Sequence, residues 1–361
     1  MKSFASFTAR LVSVLLAVLF VLTLPAAFLA YDAGQLVFSP SRMTALLEDA
    51  VLQSKLVPLG LAWYAQTTAA SIPKDAYTPD YATIVSFPST QDWRDLRQIA
   101  ITDEMLLEWV DATTNGAYAW LDNEEARPRV TWILQPLQQH LQSGRGEQAL
   151  QIVYDALPPC SQEQIADFKQ RQSAAPSGVE VPYNPCRFPA PWESDQYNDY
   201  LTSVEEMVAA IPPVLELVST LAPDTPESTF LALKGSLRTA RTVSRWGWVV
   251  PLLLLWLIAA LRVRNLPALG LWWGIPLVLG GAATLILFLA VPPVARPWID
   301  VAVATWPREL ALEVRLFLDK VIRIIVSPLM WQGALSAGLG LLGILGGFFA
   351  GRRKARNASM E

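Results

Sequence analysis

Four long runs of apolar residues without a charged side chain set the strongest limit on how this chain can fold. They cover residues 11–31, 246–261, 266–295 and 324–351. A helix needs about 20 apolar residues, within a range of about 17 to 25, to cross a bilayer. The second run is slightly short, but Val243 and the flanking aromatic residues extend it. We therefore predict an all-α integral membrane protein with four transmembrane helices.

Composition agrees with a membrane protein that carries one water-soluble domain. Charged residues make up 17% of the chain, below the roughly 25% of soluble proteins. They are concentrated between the first run and the second. The stretch between these runs predicts one exported, mostly helical domain.

The first apolar run is either a retained membrane anchor or a cleaved secretory signal. Lys2 and Arg10 precede it, an arrangement that both kinds of segment share. The run exceeds the about 7 to 15 residues of a signal-peptide core, and no small-x-small cleavage motif is clear after it. These features favour the anchor. With either alternative, the domain that follows is exported.

Basic residues beside the apolar runs predict the orientation in the membrane, because cytoplasmic loops are enriched in Lys and Arg. With the N-terminus inside, the cytoplasmic basic residues are Lys2, Arg10, Arg262, Arg264, Arg352, Arg353, Lys354 and Arg356. A basic stripe from Lys234 to Arg245 argues the other way, but the N-terminal segment usually dominates. We predict a multi-pass cell-membrane protein with both termini cytoplasmic and residues 32–245 extracytoplasmic.

These boundaries divide the chain into six parts. Residues 1–31 are the anchor or signal, 32–228 the exported helical domain, 229–265 a stalk helix with the second transmembrane helix, 266–295 the third transmembrane helix, 296–326 an exported amphipathic helix, and 327–361 the fourth transmembrane helix with a basic tail. The amphipathic stretches are either outward extensions of membrane helices or helices that lie in the membrane interface. The extension, a stalk, is favoured.

Local signals place several helices in the exported domain. Ser39 before Pro40 is typical of a helix start, and Ser161 with Gln164 has the spacing of a capping box. A helix over residues 193–210 would stop at the two prolines that follow. Residues 129–134, RVTWIL, are the one strand-like stretch.

The only two cysteines, Cys160 and Cys186, are predicted to form a structural disulfide. Thiols pair in an oxidising compartment. A redox pair would need a Cys-x-x-Cys-like arrangement. A zinc site would need four ligands, and His140 is the only histidine. We predict no metal site and no cofactor.

Small residues follow one face of the last apolar run. The pattern GLGLLG within it resembles a dinucleotide-binding motif, but that motif works only between a strand and a helix. Closely spaced small residues instead let membrane helices approach each other. The face packs within the helix bundle or drives self-association, and it consists of Ser336, Gly340, Gly343, Gly347 and Gly351.

No residue pattern indicates catalysis or transport. Coupled transport usually needs ionisable groups at membrane depth, and the four runs contain none. Glu104 with Glu108 and Glu205 with Glu206 are typical of solvated helix faces, and His140 lacks a neighbouring nucleophile or acid. The apolar helices are therefore predicted to anchor the exported domain, and an enzyme is the less favoured class.

An aromatic segment beside the second cysteine is the best candidate binding surface. It consists of Tyr183, Phe188, Trp192, Tyr197 and Tyr200, with acidic residues between them. Aromatic side chains are enriched at binding hot spots. The alternative is that these rings cover the small core beneath the disulfide loop.

Several stretches resemble those of uncharacterised four-helix membrane proteins of Chloroflexota-type bacteria with an exported helical domain. They are VFSPSRMTALLEDAVLQS, ITDEMLLEWVDATTNGAYAWLD, and DALPPCSQEQIADF followed by NPCRFP. The resemblance covers most of the chain. It implies a bacterial envelope location and the Cys160–Cys186 pairing, and no activity.

Together these features predict a membrane-anchored extracytoplasmic binding or assembly module of the bacterial envelope. Its expected partners are the lipid bilayer and either an envelope protein or a second copy held through the glycine face. The acidic domain disfavours nucleic acid. The alternative function is an envelope enzyme that acts on glycan or lipid through carboxylates of the exported domain.

Overall fold

The computed structural model describes residues 2–73, 78–176, 179–263 and 266–358. Arg264, used above to predict orientation, lies outside them. The chain divides into two compact units. The first comprises Met1–Met43, Ser228–Thr305 and Arg315–Glu361, and the second comprises Thr44–Glu227 and Trp306–Val314.

Helices dominate both units, as the all-α prediction requires. In chain order the helices are α1 (Lys2–Val37), α2 (Pro40–Gln53), α3 (Leu56–Ser71), α4 (Tyr81–Ile84), α5 (Thr90–Ala100), α6 (Asp103–Asp122), α7 (Gln135–His140), α8 (Gly146–Ala156), α9 (Gln162–Ala174), α10 (Trp192–Ala209), α11 (Leu217–Leu221), α12 (Glu227–Trp246), α13 (Val249–Arg262), α14 (Leu266–Ala302) and α15 (Arg308–Ala358). The strands are β1 (Thr131–Ile133) and β2 (Val214–Glu216), and a kink with non-helical backbone at Ser143 and Gly144 joins α7 to α8.

The first unit holds the apolar helices. Three of them, within α1, α14 and α15, are long and apolar enough to cross a membrane. The predicted second crossing is a bent pair instead, because α12 and α13 meet at an angle of 43°. Counting that pair as one span gives up to four. The apolar helices are thus compatible with a multi-pass membrane protein.

Large side chains of three helices form the core of the first unit. Phe20 and Leu24 of α1 are buried together with Leu255 of α13, and Trp273 and Leu277 of α14 pack against them. All three helices therefore share one apolar cluster.

Glycines bring α14 and α15 into close contact. A Cβ atom built on Gly340 would lie 2.6 Å from the carbonyl oxygen of Gly274, and one on Gly347 would lie 2.8 Å from that of Pro267. Gly343 also faces α14, at Gly270, and Ser336 is buried. The packing of Gly351 lies outside what the structure describes.

The second unit is a helical domain with a small two-stranded sheet. Its main core consists of Ile101, Leu106, Trp109 and Leu134. The Trp109 ring stacks on Trp132 of β1, with ring centroids 5.2 Å apart, and its Nε1–H donates to the Ile133 carbonyl oxygen over 3.1 Å. β1 pairs antiparallel with β2, with Trp132 opposite Leu215. Sequence analysis predicted β1 but missed β2, which is only three residues long and follows two prolines.

The start of α15 also belongs to the second unit. Trp306 stacks on Trp63 of α3, with centroids 6.0 Å apart, and Thr90 donates a hydrogen bond to Glu309 over 3.0 Å. Leu310 is buried. This segment lies within the stretch predicted as a stalk or an interfacial helix, and the choice between those two stays a prediction.

Candidate functional site

The disulfide loop is the most tightly tied part of the second unit. Cys160 and Cys186 are joined, with sulfur atoms 2.01 Å apart, as predicted. Backbone bonds run beside the bridge, from Cys160 N to Arg187 O (2.9 Å) and from Arg187 N to Pro158 O (2.8 Å). On the far side, the capping box of Ser161 and Gln164 that starts α9 is confirmed. The chain before α10 is thus fixed against the start of α9.

A single buried amide, Gln196 of α10, organises the residues behind this loop. Its Nε2 donates to the Cys186 carbonyl oxygen over 2.7 Å, and its Oε1 accepts from Phe188 N over 3.0 Å. The Tyr154 hydroxyl donates to the same Oε1 over 3.1 Å. Because Gln196 is fully buried, every one of these bonds is shielded from water and fixes the position of α10 against α8 and the loop.

The five predicted aromatic residues fall into two clusters rather than one surface. Phe188, 2% exposed, lies in the disulfide cluster, which has Ile165, Phe168 and Cys186 as its buried members. Tyr183 and Trp192 are partly buried against that cluster. Tyr197 and Tyr200 pack instead against the tyrosine cluster. The buried members of the tyrosine cluster are Ile84, Tyr154 and Leu157.

Phe188 agrees with the interpretation that these rings cover the core beneath the loop, and the binding surface stays a prediction. Phe188 is covered and serves the core beneath the loop. One face of the Trp192 ring is occupied by the Lys169 ammonium, which lies 4.6 Å from the ring centroid. Tyr197 meets Tyr154 edge to face at 5.3 Å. Tyr197 also lines a cleft.

The cleft between α8 and α10 has a volume of about 390 Å³ and combines aromatic with charged side chains. We call it the α8–α10 cleft. It is lined by Gln151, Tyr154, Asp155, Arg187, Glu193, Ser194, Tyr197 and Asn198. Its helices are fixed by Gln196 and the disulfide loop, so its walls are preformed. Such a mixture suits a ligand with both polar groups and apolar faces.

Charges of both signs lie in the α8–α10 cleft. Arg187 Nη1 lies 3.6 Å from Asp155 Oδ1, and both side chains are substantially exposed. An exposed pair of this kind contributes only about 0 to 1 kcal/mol to stability. Replacing this ion pair by contacts with a ligand would therefore cost little free energy.

The tyrosines around the cleft hold their protons more firmly than usual. Burial raises the pKa of the Tyr154 hydroxyl, and the nearby Glu193 carboxylate raises it further. Burial likewise raises the pKa of Tyr197, with smaller contributions from Glu147 and Asp155. These hydroxyls therefore act at neutral pH as hydrogen-bond donors.

Two further groups near the aromatic segment have raised pKa values. Burial raises the pKa of Tyr200 to about 12. Burial also raises the pKa of the Asp199 carboxyl, and Glu180 and Asp195 add to the shift. Neither Tyr200 nor Asp199 is among the residues that line the α8–α10 cleft.

Sequence analysis missed one wall of the cleft. Tyr154 and Asp155 lie on α8, outside the aromatic segment, and Arg187 lies within that segment but was not selected. The available signal was the pair Tyr154-Asp155 six and five positions before Cys160. Cys160 follows the end of α8 closely, and its disulfide with Cys186 places that end beside the aromatic segment.

The other candidates considered for chemistry occupy ordinary structural positions. Glu104, Glu108, Glu205 and Glu206 are exposed on helix surfaces. His140 Nε2 bonds the carbonyl oxygen of Ile99 over 2.9 Å. Within residues 2–73, 78–176, 179–263 and 266–358, no group of three His, Cys, Asp or Glu side chains is placed to hold a metal ion.

Asp32 and Lys234 are buried ionisable residues of the first unit, and Asp32 lies on an apolar helix. Helix α1 continues past the first apolar run, and the structure places Asp32 inside its candidate span, only 8% exposed. Asp32 accepts a hydrogen bond from Gln332 of α15. The apolar runs themselves contain no charge, but the helix built on the first of them does.

No protein-family model, curated protein or solved structure matches this chain. The resemblance to membrane proteins of Chloroflexota-type bacteria stays a prediction.

Proposed function

We propose that this protein is a membrane-anchored binding module of the bacterial envelope, in which the α8–α10 cleft holds a segment of a partner protein. The observation that carries the proposal is the preformed cleft itself. Its walls are locked by the disulfide loop and by buried Gln196, and its lining offers tyrosine edges, two carboxylates and one guanidinium.

A polypeptide is the ligand that best uses this lining. Tyr154 and Tyr197 line the cleft, and the Tyr154 hydroxyl is held by its hydrogen bond to Gln196 Oε1. Their rings give apolar contact area at low entropic cost. Asp155, Glu193 and Arg187 can pair with charged side chains of either sign. Preformed walls reduce the ordering cost of binding.

Helix lengths in the first unit support the membrane placement. Asp32 lies about 32 Å along α1 from Leu11, and Gly351 lies about 29 Å along α15 from Gln332, at about 1.5 Å per residue. Both lengths match a hydrocarbon core of about 30 Å. Since Gln332 bonds Asp32, the other ends of the two spans, near Arg10 and Arg352, fall on the same side. Basic residues on both ends favour the cytoplasm for that side.

Partner capture with matched variants tests the proposal. Glu193→Lys reverses a charge in the cleft, and Glu206→Lys makes the same change on the exposed surface of the same helix, outside the cleft lining. The full chain would be cross-linked in native membranes, purified in mild detergent and analysed by mass spectrometry. We expect a near-stoichiometric protein partner with wild type and Glu206→Lys, and about tenfold less with Glu193→Lys or Tyr197→Ala.

The result has two clear alternatives. A partner retained equally by the cleft variants and wild type, with unchanged thermal unfolding, would refute the cleft assignment. Recovery without a protein of a glycan, or of a lipid that the cleft variants no longer retain, would instead favour the envelope enzyme, for which Asp155 and Glu193 in the same cleft are the candidate carboxylates. Activity screens would then follow on the purified protein.

A further inference from the structure

Arg262, the last residue of α13, has an unusual environment for a cation. Its guanidinium lies over the ring of Trp272 of α14, with Cζ 4.7 Å from the ring centroid. Its Nε is buried and has no hydrogen-bond partner within the described residues. A buried donor at a charged group that lacks an acceptor costs about 1 to 3 kcal/mol or more. An anion that supplied the acceptor would remove that cost.

The same tryptophan lines an apolar groove on the first unit. The groove lies between α1 and α14 and has a volume of about 520 Å³. All of its lining side chains are apolar, including Val14, Ala17 and Val18 from α1 and Trp272 and Ile275 from α14. A groove of this kind accommodates a hydrocarbon chain, because it offers no polar partner to water.

Trp272 thus belongs both to the groove lining and to the contact with Arg262. One side of the contact is apolar and runs along two membrane-compatible helices. The other is a guanidinium, whose planar fork suits phosphate oxygens. A molecule that has an anionic phosphate at one end and an apolar chain at the other matches both.

We propose that the α1–α14 groove with Arg262 is a specific binding site for an anionic phospholipid. An acyl chain lies in the groove, and the guanidinium of half-buried Arg262 pairs with the phosphate of the headgroup. This proposal rests on the membrane placement proposed above and is independent of the α8–α10 cleft. A lipid that merely coats apolar helices would need no buried donor, so the site predicts headgroup selectivity.

Lipid retention by the purified full chain tests the site. After detergent extraction, phosphatidylglycerol or phosphatidylcholine with the same acyl chains is added, and bound lipid is measured by native mass spectrometry and by the shift in Tm. We expect wild type to bind phosphatidylglycerol about tenfold more tightly than phosphatidylcholine, since both carry the phosphate but only phosphatidylcholine has a choline cation that repels the guanidinium. Arg262→Gln is expected to abolish this preference.

Two matched controls separate the site from general electrostatics and packing. Arg245→Gln removes the same charge from exposed Arg245 on α12 and should keep the preference. Ala17→Phe fills the groove and should weaken retention of phosphatidylglycerol, whereas Leu15→Phe, on exposed α1 surface outside the groove lining, should not. The Ala17 variant tests the site even if Arg262→Gln fails to fold.

Several outcomes would overturn the proposal. They are equal binding of the two lipids by wild type, an Arg262→Gln variant that keeps the preference, and stabilisation by glycerol phosphate alone, which would indicate a phosphate site without a lipid chain. Recovery of the protein in the soluble fraction would contradict the membrane placement itself. A lost partner in the cross-linking experiment would bear only on the α8–α10 cleft.

Discussion

The side-chain amide of Gln332 donates a hydrogen bond to Asp32 Oδ1 over 3.0 Å, although 300 positions separate them in sequence. The bond ties the first apolar helix to the last. Asp32 Oδ2 and Gln332 Oε1 are both buried without a partner among the described residues. Burial of a carboxyl group that has a single amide donor in an apolar bundle is unfavourable in free energy. The pair therefore links the two helices while two of its oxygen atoms lack hydrogen-bond donors among the described residues.

A substitution at Gln332 and one at Asp32 should differ in their effect on the free energy of unfolding. Gln332→Leu removes the one donor that the described residues provide to the buried Asp32 carboxyl group, so we expect a loss of about 2 kcal/mol. Asp32→Asn keeps the acceptor and adds an amide donor that can reach for the unmatched Gln332 oxygen, so stability should hold or rise. Thermal unfolding in detergent, followed by circular dichroism, measures both.

The double variant Asp32→Leu with Gln332→Leu provides the control. Replacing both partners by apolar groups should recover most of the stability lost in Gln332→Leu, since no buried polar group is left unmatched. If Gln332→Leu unfolded at the wild-type temperature, the bond would have no role in holding the helices together.

How much of this structure the sequence predicts depends on whether a feature is local. Apolar runs and capping signals such as Ser161 with Gln164 act within a few residues, and the helices they predict are present. The bend between α12 and α13 was not predicted. The residues around Gly247 are compatible with a straight helix and with a bent one.

The burial of Gln196 depends on distant contacts and could not be predicted. Gln196 is a polar residue on a helix with acidic neighbours, and nothing local marks it as fully buried. Its burial follows from Tyr154, Cys186 and Phe188, which approach it only in the folded domain. The α8–α10 cleft depends on the same contacts, so sequence analysis found the Tyr197 side and missed the Tyr154 side.

Glycines of the last helix should differ sharply in their tolerance to substitution. At Gly340 a Cβ atom would lie 2.6 Å from the carbonyl oxygen of Gly274 and 2.7 Å from Val278 N, so Gly340→Ala should force α14 and α15 apart. At Gly338 no neighbour lies within 4 Å of such an atom. There Ala should stabilise the helix by up to about 1 kcal/mol.

The comparison of Gly338→Ala with Gly340→Ala is internally matched, because both sites lie in the same apolar helix. Resistance to unfolding by added SDS would rank the variants, with Gly338→Ala at or above wild type and Gly340→Ala below it. Equal tolerance at both sites would contradict the close contact between the helices.

Removing Gln196 should loosen the α8–α10 cleft and the disulfide loop together. Gln196→Leu leaves the Phe188 N–H and the Cys186 carbonyl oxygen buried without their partner, so we expect a loss of about 3 kcal/mol. Gln170→Leu, on the exposed face of α9, is the control and should be nearly neutral. Hydrogen exchange at the Phe188 amide distinguishes the two, since exchange should accelerate only in Gln196→Leu. An unchanged rate there would mean that other contacts protect the loop.

Alkaline pH should destabilise the second unit through Tyr200. Burial raises the pKa of its hydroxyl to about 12, whereas an unfolded tyrosine loses its proton near pH 10. The folded state therefore binds more protons than the unfolded state between these values, and stability falls as pH rises through that window. The contribution is fully present below about pH 10, and on the order of 2 kcal/mol is lost by about pH 11.5.

Denaturant unfolding of the full chain at pH 9 and pH 11.5 measures the loss. Tyr200→Phe should remove most of it, because the variant has no proton to release. Tyr64→Phe, at a side chain that is 63% exposed, should leave it unchanged. An equally steep decline in Tyr200→Phe would assign the alkaline sensitivity to other groups, of which Tyr154, with its own raised pKa, would be the next to replace.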